Sequence, residues 1–417
     1  MNILFIHQNY PGQFRHLAPA LLQRGDDVRA LSCRFDKPVE IDGVKVHPYR
    51  IRGGLPEGGH PWAREFETRL LRAQSCAQEA LRLRQAGYVP DLIIGHYGWG
   101  ETQFLKHIWP EARMGLYCEL HYDPDHESNR AERSETEELS FRLKMRVRNV
   151  NGLLHQDLMD AGLCPTRFQL SSYPPEWRER ITLQHDGIDT GLSRPDPDVR
   201  FSLPSGRALT RADEVITYVS RSLEPMRGFD VFMEALPDLL RARPNAEIVV
   251  VGREDVSYGA HPPGGGSWKT YLLGKIASRL APGDLDRVHF LGNIPHDQFR
   301  AFLQVSRVHI YLTRPFVVSW GLMEAMATGC AIVASDVTPV REVIPSGEMA
   351  ELIKFPDPNA LVEAVSELAE NETRRHAMGQ AARAHIVDHY DLKSICLPAQ
   401  IAWVDGLAAL PPRAPGP

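Results

Sequence analysis

The chain has 417 residues, of which 43% are hydrophobic and 24% are charged, and its formal net charge is −6 at pH 7. This length exceeds what one hydrophobic core usually serves, so we expect two domains of about 200 residues each. The composition is that of a globular protein, and the acidic balance argues against a nucleic-acid-binding protein, which usually carries a basic excess.

The cysteines and apolar runs predict a cytoplasmic protein without metal. None of the six cysteines forms a CxxC pair, which is typical of reduced thiols. No apolar run approaches 18 residues, so no membrane-spanning helix is expected. The N-terminal MNILFIH lacks a basic segment and predicts a first strand, not a signal peptide. The 17 histidines show no metal-ligand spacing, so we predict no metal site and no cofactor.

The first half predicts strands that alternate with helices, and hence a parallel sheet. It begins with a strand at residues 2–6, a turn at Gly12 and a helix at residues 14–24. The turn has one glycine and not GxGxxG, so the dinucleotide-binding fingerprint is absent. Gly12 either lets the turn form or lets the backbone approach a ligand. The other strands are predicted at residues 28–32, 44–47, 92–95, 114–118 and 152–155, and residues 181–189 predict a strand followed by a glycine turn. The other helices are predicted at residues 63–85, 101–108 and 127–148.

Two histidines follow strands of this predicted sheet. His96 comes after the strand at residues 92–95, and His121 comes after the strand at residues 114–118. Ligands bind at the carboxyl ends of strands in open parallel sheets, so each histidine is either structural or a ligand contact. Residues 1–190 are assigned to an N-terminal Rossmann-like domain. The proline-rich residues 191–212 are assigned to an interdomain linker.

The second half repeats the alternation of strands and helices. Arg221 and Arg227 lie in the loop between a strand at residues 215–220 and a helix at residues 229–243. Arginines at this position suit the capture of an anion by paired hydrogen bonds, although ordinary surface arginines are the alternative. Two further strands are predicted at residues 246–251 and 287–291, and a flexible loop at residues 259–267 lacks the GK[ST] of a phosphate-binding loop.

Residues 313–329 form the most informative stretch. They follow an apolar strand at residues 308–312, and Ser319 stands where the N-cap of a helix at residues 320–328 is expected. A helix N-terminus at this edge attracts phosphate. Glu324, one turn inside, is either a hydrogen-bond acceptor for sugar hydroxyls or a solvated residue. We assign residues 213–390 to a C-terminal Rossmann-like domain and residues 391–417 to a helix that returns to the N-terminal domain, followed by a proline-rich tail.

In this order, the motifs of the chain resemble the family 4 glycosyltransferases, which have the GT-B fold. The resemblance covers nearly the whole chain. It rests on IHQNYPGQFRHLAPALLQRG near the N-terminus, the hinge Asp186-Gly187-Ile188-Asp189, the loop from Ser220-Arg221 to Arg227-Gly228, and the later VHFLGNIP and SDVTPVREVI. The fold class it implies is α/β, with two Rossmann-like, doubly wound parallel-sheet domains facing across a cleft.

The resemblance implies a role for each candidate residue. Arg221 and Arg227 neutralise the diphosphate leaving group, and His121 touches the transferred sugar. Glu324 holds the nucleotide ribose, and Ile294 lies near the base. The remaining donor-binding positions are Gly12, Ser319, Trp320, Gly321 and Leu322, and His96 and Phe316 are candidate contacts for the acceptor or sugar.

One position departs from the family pattern. The first glutamate of the family's pair lies eight residues before the second, and this position holds Phe316. A phenyl ring cannot accept a hydrogen bond from a sugar hydroxyl, so we expect backbone groups and other loops to hold the sugar. The alternatives are a different mode of sugar recognition and a loss of activity.

The function implied is transfer of a hexose from a nucleotide-diphosphate sugar, with a UDP-sugar favoured, to a hydroxyl of a glycan, lipid-linked or small-molecule acceptor, with retention of configuration. We expect the reaction to be metal-independent, in the cytoplasm or at the inner face of the membrane, with at most peripheral membrane contact and no nucleic acid. The alternatives are a nucleotide-sugar epimerase or hydrolase on the same fold, or a non-catalytic nucleotide-sugar-binding protein.

Overall fold

The computed structural model describes residues 1–51, 53–54, 58–129 and 133–413, which form two compact units. The first unit comprises Met1–Gly187 together with the chain from Lys393 onward, and the second comprises Ile188–Leu392. Residues 130–132 of the predicted helix 127–148 and residues 414–417 of the predicted tail lie outside the described residues.

The first unit is built on an eight-stranded sheet in its described part. The spatial order is β3-β4-β2-β1-β5-β6-β7-β8, and β3 runs antiparallel to β4 while the other neighbours are parallel. The strands are β1 (Asn2–Ile6), β2 (Asp27–Ser32), β3 (Val39–Ile41), β4 (Val44–Pro48), β5 (Leu92–His96), β6 (Arg113–Tyr117), β7 (Ala161–Cys164) and β8 (Ile181–Leu183).

Helices cover both faces of this sheet, so its central strands read as nearly continuous apolar runs. Along β1, Ile3 and Phe5 pack into one hydrophobic cluster, whereas Leu4 and Ile6 pack into another on the opposite face. The helices that follow in the chain are α1 (Leu17–Gln23), α2 (Arg64–Gln85), α3 (Leu105–Ile108), α4 (Glu135–Arg148), α5 (Val150–Gln156), α6 (Arg167–Ser171) and α7 (Pro175–Arg178).

The strand predicted at residues 152–155 is wrong, because these residues lie within helix α5. A short apolar run does not by itself distinguish a strand from a helix. Asn151 and His155, one helical turn apart, are buried, while Leu153 and Leu154 are exposed. The strand of this region is β7, which begins six residues later, at Ala161.

The second unit contains a six-stranded parallel sheet in the order β13-β12-β11-β14-β15-β16, and a separate antiparallel pair, β9 with β10. The strands are β9 (Phe201–Ser202), β10 (Ala208–Leu209), β11 (Val215–Ser222), β12 (Glu247–Arg253), β13 (Val288–Phe290), β14 (Val308–Tyr311), β15 (Ile332–Ser335) and β16 (Glu351–Ile353). The helices are α8 (Phe229–Ala242), α9 (Trp268–Ile276), α10 (His296–Gln304), α11 (Trp320–Ala327), α12 (Thr338–Val343), α13 (Pro358–Glu370) and α14 (Glu372–Tyr390).

The predicted linker at residues 191–212 packs inside the second unit rather than standing apart from it. Its prolines alternate with apolar side chains that join the core of this unit. Val199, Phe201, Leu203 and Leu209 are all buried, and the ring of Phe201 lies 6.1 Å from that of Phe302. Apolar burial therefore makes this segment part of the domain, because proline content alone does not decide whether a segment is solvated.

The last helix, α15 (Leu397–Ala409), belongs to the first unit. Trp403 Nε1 donates a hydrogen bond to the carbonyl oxygen of Gly162 at 3.1 Å, and Arg24 Nη1 lies 2.7 Å from Asp405 Oδ1. The helix covers the same face of the sheet as α1, and Trp403, Val404 and Leu407 are buried there.

Candidate functional site

The strand order of the second unit places a ligand-binding edge between β11 and β14. Successive strands run outward in one direction from β11 to β13, and in the other direction from β14 to β16. Loops at the carboxyl ends diverge at such a switch point and leave a crevice, which is where open α/β sheets bind ligands. The loop after β11 carries Arg221 and Arg227, and the loop after β14 carries Phe316 and Ser319.

Arg227 is the buried cation of this edge, with 5% of its surface exposed. Its Nη1 donates to Thr313 Oγ1 at 3.2 Å and to the carbonyl oxygen of Val317 at 2.8 Å. These neutral acceptors orient the guanidinium without cancelling its charge, and no carboxylate of the described chain forms an ion pair with it. A buried and uncompensated guanidinium is a strong site for an anion such as diphosphate.

Phe316 packs against this arginine. The guanidinium carbon of Arg227 lies 5.3 Å from the centroid of the Phe316 ring and 5.5 Å from that of Tyr258. The two rings are themselves 5.0 Å apart and tilted by 59°. The position where the family has a glutamate is therefore part of an aromatic support for the cation, with a favourable cation–π contribution.

Tyr258 was not predicted as a site residue, and it joins the two arginines. Its hydroxyl lies 3.4 Å from Arg221 Nη1 at the exposed side of the cluster. The buried carboxylate of Glu224 accepts hydrogen bonds from the backbone N–H groups of Tyr258 at 3.1 Å and Gly259 at 3.1 Å. These two hydrogen bonds anchor the start of the loop at residues 259–267, which its glycine content predicted to be flexible. An aromatic residue beside a glycine-rich loop at a strand's carboxyl end was the available signal.

The N-terminus of α11 lies at the same edge. Ser319 occupies the N-cap position with extended backbone, as predicted, but its side chain makes no capping bond. Its N–H donates to the Tyr311 hydroxyl at 3.1 Å, while the Leu322 N–H bonds to the Ser319 carbonyl at 3.2 Å. The backbone groups of Trp320 and Gly321 in the first turn add the partial positive charge of a helix N-terminus to that of Arg227.

Glu324, one turn into α11, is held by a histidine that sequence reasoning missed. His296 Nε2 lies 2.7 Å from Glu324 Oε1, and Arg300 Nη1 lies 3.0 Å from His296 Nδ1. Arginine can only donate a hydrogen bond, so His296 Nδ1 is the acceptor. The proton of the ring is therefore on Nε2, which donates a hydrogen bond to Glu324. The side chain of Glu324 is 15% exposed, and its second oxygen can accept hydrogen bonds from a ligand. Ile294, half-buried, lies two residues before His296 in the loop after β13.

In the first unit, the corresponding switch point lies between β1 and β5, and it brings Gly12 and His96 around the buried His7. Gly12 has φ +50°, and a Cβ there would lie 2.5 Å from the imidazole of His7. The ring of His7 contacts the ring of His96 edge-on at 6.0 Å. Burial lowers the pKa of His7 to about 4, so the ring is neutral at pH 7. Gly12 is thus required to let the first loop close on His7.

His96 is held as a specific tautomer that faces an acid. Its Nδ1 accepts the N–H of Gly98 at 3.1 Å, so Nε2 carries the proton in the neutral ring. That Nε2 lies 3.4 Å from Glu119 Oε2, whose side chain is 38% exposed. The pair stands at the carboxyl ends of the neighbouring strands β5 and β6, where a hydroxyl of a ligand could be bound.

His121 lies in an aromatic pocket of the same unit. Its ring is 5.6 Å from that of Tyr173 and 5.9 Å from that of Trp177. Burial lowers the pKa of His121 to about 4, so the ring is neutral at pH 7. Its buried Nδ1 has no hydrogen-bond partner among the described residues. Such an atom is a candidate contact for a ligand hydroxyl.

Two features are absent from the described ranges: a cluster of metal ligands and a membrane-spanning helix. Nowhere do three or more His, Cys, Asp or Glu side chains come together as a group that could hold a metal ion. In the part of the chain that the structure describes, no helix is both long enough and apolar enough to cross a membrane.

Two of the solved structures similar to this chain share its fold over nearly their whole length. A sucrose-phosphate synthase from Thermosynechococcus elongatus matches with a TM-score of 0.72 and 19% identity, covering 98% of this chain and 100% of that one. HepE from Anabaena, solved with UDP and glucose, matches with a TM-score of 0.65 and 17% identity, over 98% and 100% of the two chains. The predicted GT-B fold is confirmed.

Curated relatives are similar over shorter stretches. A phosphatidyl-myo-inositol mannosyltransferase of Mycobacterium leprae is 28% identical over 198 residues, 46% of this chain and 47% of that protein. A GDP-mannose-dependent alpha-(1-6)-phosphatidylinositol monomannoside mannosyltransferase of Mycolicibacterium smegmatis is 26% identical over 238 residues, 55% and 58% of the two. The chain spans about half the length of the curated relatives it matches.

Two family models match successive parts of the chain. The model of the glycosyl transferase family 4 group matches residues 24–192, and the model of the glycosyl transferases group 1 matches residues 206–385. Between them the two matches span most of the sequence, and they meet near the boundary between the two structural units. The predicted resemblance is thereby confirmed, and the chain belongs to the glycosyltransferases, with a family 4 group domain followed by a group 1 domain.

Proposed function

We propose that the protein transfers a hexosyl group from a nucleotide-diphosphate sugar to a hydroxyl of a glycan, lipid-linked or small-molecule acceptor, with retention of anomeric configuration. The observation that carries this proposal is the buried, carboxylate-free guanidinium of Arg227 beside the N-terminus of α11. Both groups suit a diphosphate. Glu324, one turn further along, suits the ribose hydroxyls of the same ligand.

The donor is proposed to be a GDP- or UDP-linked hexose. A mannosyltransferase relative is named for its dependence on GDP-mannose, and HepE was solved with UDP and with UDP-glucose. Ile294, half-buried, offers an apolar contact to either base. Both donors therefore belong in the test.

The proposed reaction needs no protein nucleophile. The bond from the anomeric carbon to the diphosphate oxygen breaks, and its electron pair leaves with the nucleoside diphosphate. The acceptor oxygen bonds to the same face of the anomeric carbon, and its proton passes to the departing phosphate oxygen. Negative charge grows on the diphosphate as the bond breaks, so Arg227 and Arg221 stabilise the transition state more than the ground state. We propose that these arginines take the place of a metal ion.

The test is product analysis with the full chain. GDP-mannose and UDP-glucose are each incubated with phosphatidylinositol or D-inositol 3-phosphate, acceptors suggested by the names of relatives. Release of nucleoside diphosphate is measured with and without acceptor and with a metal chelator. We expect acceptor-dependent release that survives the chelator, and a product whose anomeric configuration by NMR matches that of the donor.

Each other outcome contradicts a stated part of the proposal. Release of the same size without acceptor would indicate a hydrolase, and isomerised donor would indicate an epimerase. Donor binding without release of nucleoside diphosphate, whichever acceptor is present, would indicate a nucleotide-sugar-binding protein. Inverted product would exclude the front-face transfer, and loss of activity on chelation would exclude the arginines as the sole counter-charge.

A further inference from the structure

A second pocket in the second unit lies at the opposite edge of its sheet from Arg227. Its volume is about 830 Å³. It is lined by residues that precede strands, among them Arg307 just before β14 and Ala331 just before β15, so it opens at the amino-terminal edge of the sheet. The volume falls within the range of about 300–1,000 Å³ typical of small-molecule sites. Neither the sequence motifs nor the proposed transfer uses this pocket.

The walls of this pocket are strongly basic in an acidic protein. Five arginines and two glutamates line it, an excess of three positive charges, whereas the whole chain has a net charge of −6. The arginines come from the 191–212 segment, the end of α8, the residue before β14, and helix α14. The lining arginines are Arg211, Arg243, Arg307, Arg375 and Arg383.

Only one of the five is neutralised by carboxylates. Arg243 bonds to Glu214 and to Glu370, each at 2.6 Å. The other four form no ion pair with any described residue, and their side chains donate hydrogen bonds to backbone carbonyl oxygens. Arg211 donates to Gln304, Arg307 to Ala212, Arg375 to Leu368 and Ala369, and Arg383 to Ser193, Ala327 and Thr190.

Because carbonyl oxygens are neutral, these hydrogen bonds do not cancel the positive charge of the arginines, and some guanidinium N–H groups remain without an acceptor among the described residues. Each guanidinium has five N–H groups, and Arg211 and Arg307 use one nitrogen each. Burial is the main cause that lowers the pKa of Arg375 from its ordinary value; the charges of Arg307 and Arg211 lower it further, and those of Glu372 and Glu214 oppose the shift. The arginines therefore repel one another, and a bound anion would remove this repulsion.

We propose that this pocket binds a small phosphorylated metabolite, an anion with at least two negative charges such as a sugar phosphate. Phosphate oxygens match the forked donors of Arg211, Arg307 and Arg375, and the volume accommodates a hexose phosphate. The site is separate from the donor site of the proposed transfer, because the two sites lie at opposite ends of the same parallel strands. A bound anion would contact arginines of the 191–212 segment, the start of β14 and helix α14.

The experiment uses the full chain and inorganic pyrophosphate as the probe. Pyrophosphate can also bind at the donor site, so binding is measured by calorimetry in an Arg227→Gln background, at constant ionic strength. We expect one site in this background. Adding Arg211→Gln and Arg307→Gln should weaken the affinity about tenfold or more, as expected when charge-assisted hydrogen bonds are lost. Glucose 6-phosphate should compete with pyrophosphate, and neutral glucose should not.

The matched control is Arg241→Gln, an exposed arginine of α8 that does not line the pocket. It should leave the affinity unchanged. The single variant Arg307→Gln guards against misfolding, since it removes one hydrogen bond of 3.3 Å. Its unliganded Tm should match that of the parent, with weaker binding. Pyrophosphate binding that is absent at millimolar concentration, or that the pocket variants leave unchanged, would overturn the proposal. The readout is binding, so failure of the proposed transfer would leave this result interpretable.

Discussion

His296 donates a hydrogen bond of 2.7 Å to Glu324, and Arg300 donates to the other nitrogen of the same imidazole at 3.0 Å. The chain of donors runs from helix α10 to helix α11 and uses one oxygen of the carboxylate. The other oxygen is left for a ligand, in a fixed direction. His296 is therefore a positioning residue for Glu324, in the manner of a residue that orients a ligand-binding group without touching the ligand.

Removal of this orientation should weaken donor binding without slowing the chemical step. We expect His296→Ala to raise the KM for the donor about threefold to tenfold, the effect of one hydrogen bond, with kcat within a factor of about two. His296→Gln can still donate to Glu324 and should recover most of the affinity. Steady-state kinetics with varied donor measures both constants. Equal losses in the Ala and Gln variants would contradict the positioning role.

Arg227 should matter for the transition state. We expect Arg227→Ala to lower kcat/KM about 10²-fold or more, because the leaving diphosphate loses its buried counter-charge. Arg227→Lys keeps the charge but loses the guanidinium Nη1 that bonds both Thr313 and Val317, and its kcat/KM should fall between those of the parent and of Arg227→Ala. Arg241→Ala, an exposed arginine, is the control. An unchanged kcat/KM in Arg227→Ala would remove this residue from the proposed mechanism.

Phe316 provides a direct test of the departure from the family pattern. Phe316→Glu would place a carboxylate beside Arg227, where it would pair with the guanidinium and compete with the diphosphate. We expect the donor KM to rise about tenfold, whereas Phe316→Leu, which loses the ring contact with Tyr258 and a cation–π contact of about 0.5–2 kcal/mol, should have a smaller effect. Donor titrations followed by fluorescence or calorimetry measure both. A more active Phe316→Glu variant would show that the sugar requires the acid and that the aromatic contact is dispensable.

A stability difference between two helical glycines should report on the packing of the second unit. A Cβ on Gly379 of α14 would overlap the carbonyl oxygen of Gly329, whereas a Cβ on Gly406 of α15 would have nothing within 4 Å. We expect Gly379→Ala to destabilise the protein by about 1–3 kcal/mol through overpacking. Gly406→Ala should stabilise it by about 1 kcal/mol through helix propensity. Urea unfolding of both variants measures the difference, and a loss of the same size in both would contradict this account.

Acid should destabilise the first unit. Burial lowers the pKa of each of four histidines of this unit to about 4; they are His7, His121, His155 and His185. In the unfolded chain these groups titrate near 6.5, so below that pH the unfolded state binds more protons than the folded state. The stability they contribute is complete above about pH 6.5 and is lost as the pH falls toward 4.

The slope of stability against pH measures this effect. Each such histidine contributes up to about 1.4 kcal/mol per pH unit between the two pKa values. Unfolding monitored between pH 7.5 and 5 should show a falling midpoint and proton uptake, while the carboxylates that are ion-paired lose their contribution only at lower pH. A midpoint that does not change between pH 7 and 5 would contradict the burial of neutral imidazoles.

Much of the fold was predictable because its signals are local. Apolar runs of four to six residues ending in glycine or a polar loop identified β1, β5, β6, β12 and β14 from neighbouring residues alone. The interpretation was wrong where the local signal is degenerate, as in GLLH at residues 152–155, which packs as a helix. Short strands such as β3 and β16, three residues each, carry too little pattern to be recognised.

In the candidate site, too, some residues were predictable from local sequence and others were not. Arg227, Ser319 and Glu324 could be placed at a ligand-binding edge because each follows a strand of predicted direction. Tyr258 and His296 could not be paired with them. Tyr258 lies 58 positions before Phe316, and His296 lies 28 positions before Glu324, so neither contact has a signature in a short window of sequence.

The sequence by itself determined the two α/β domains, the family and the loops that carry the chemistry, because periodicity and turn residues act over a few positions. The tertiary structure alone decided what each loop residue touches. Strand order brings β11 beside β14, and with it Arg227 beside Phe316 and Tyr258. The same packing gathers Arg211, Arg307 and Arg375 in one pocket at the other edge. Such contacts depend on how distant segments pack against one another, and no single segment encodes that.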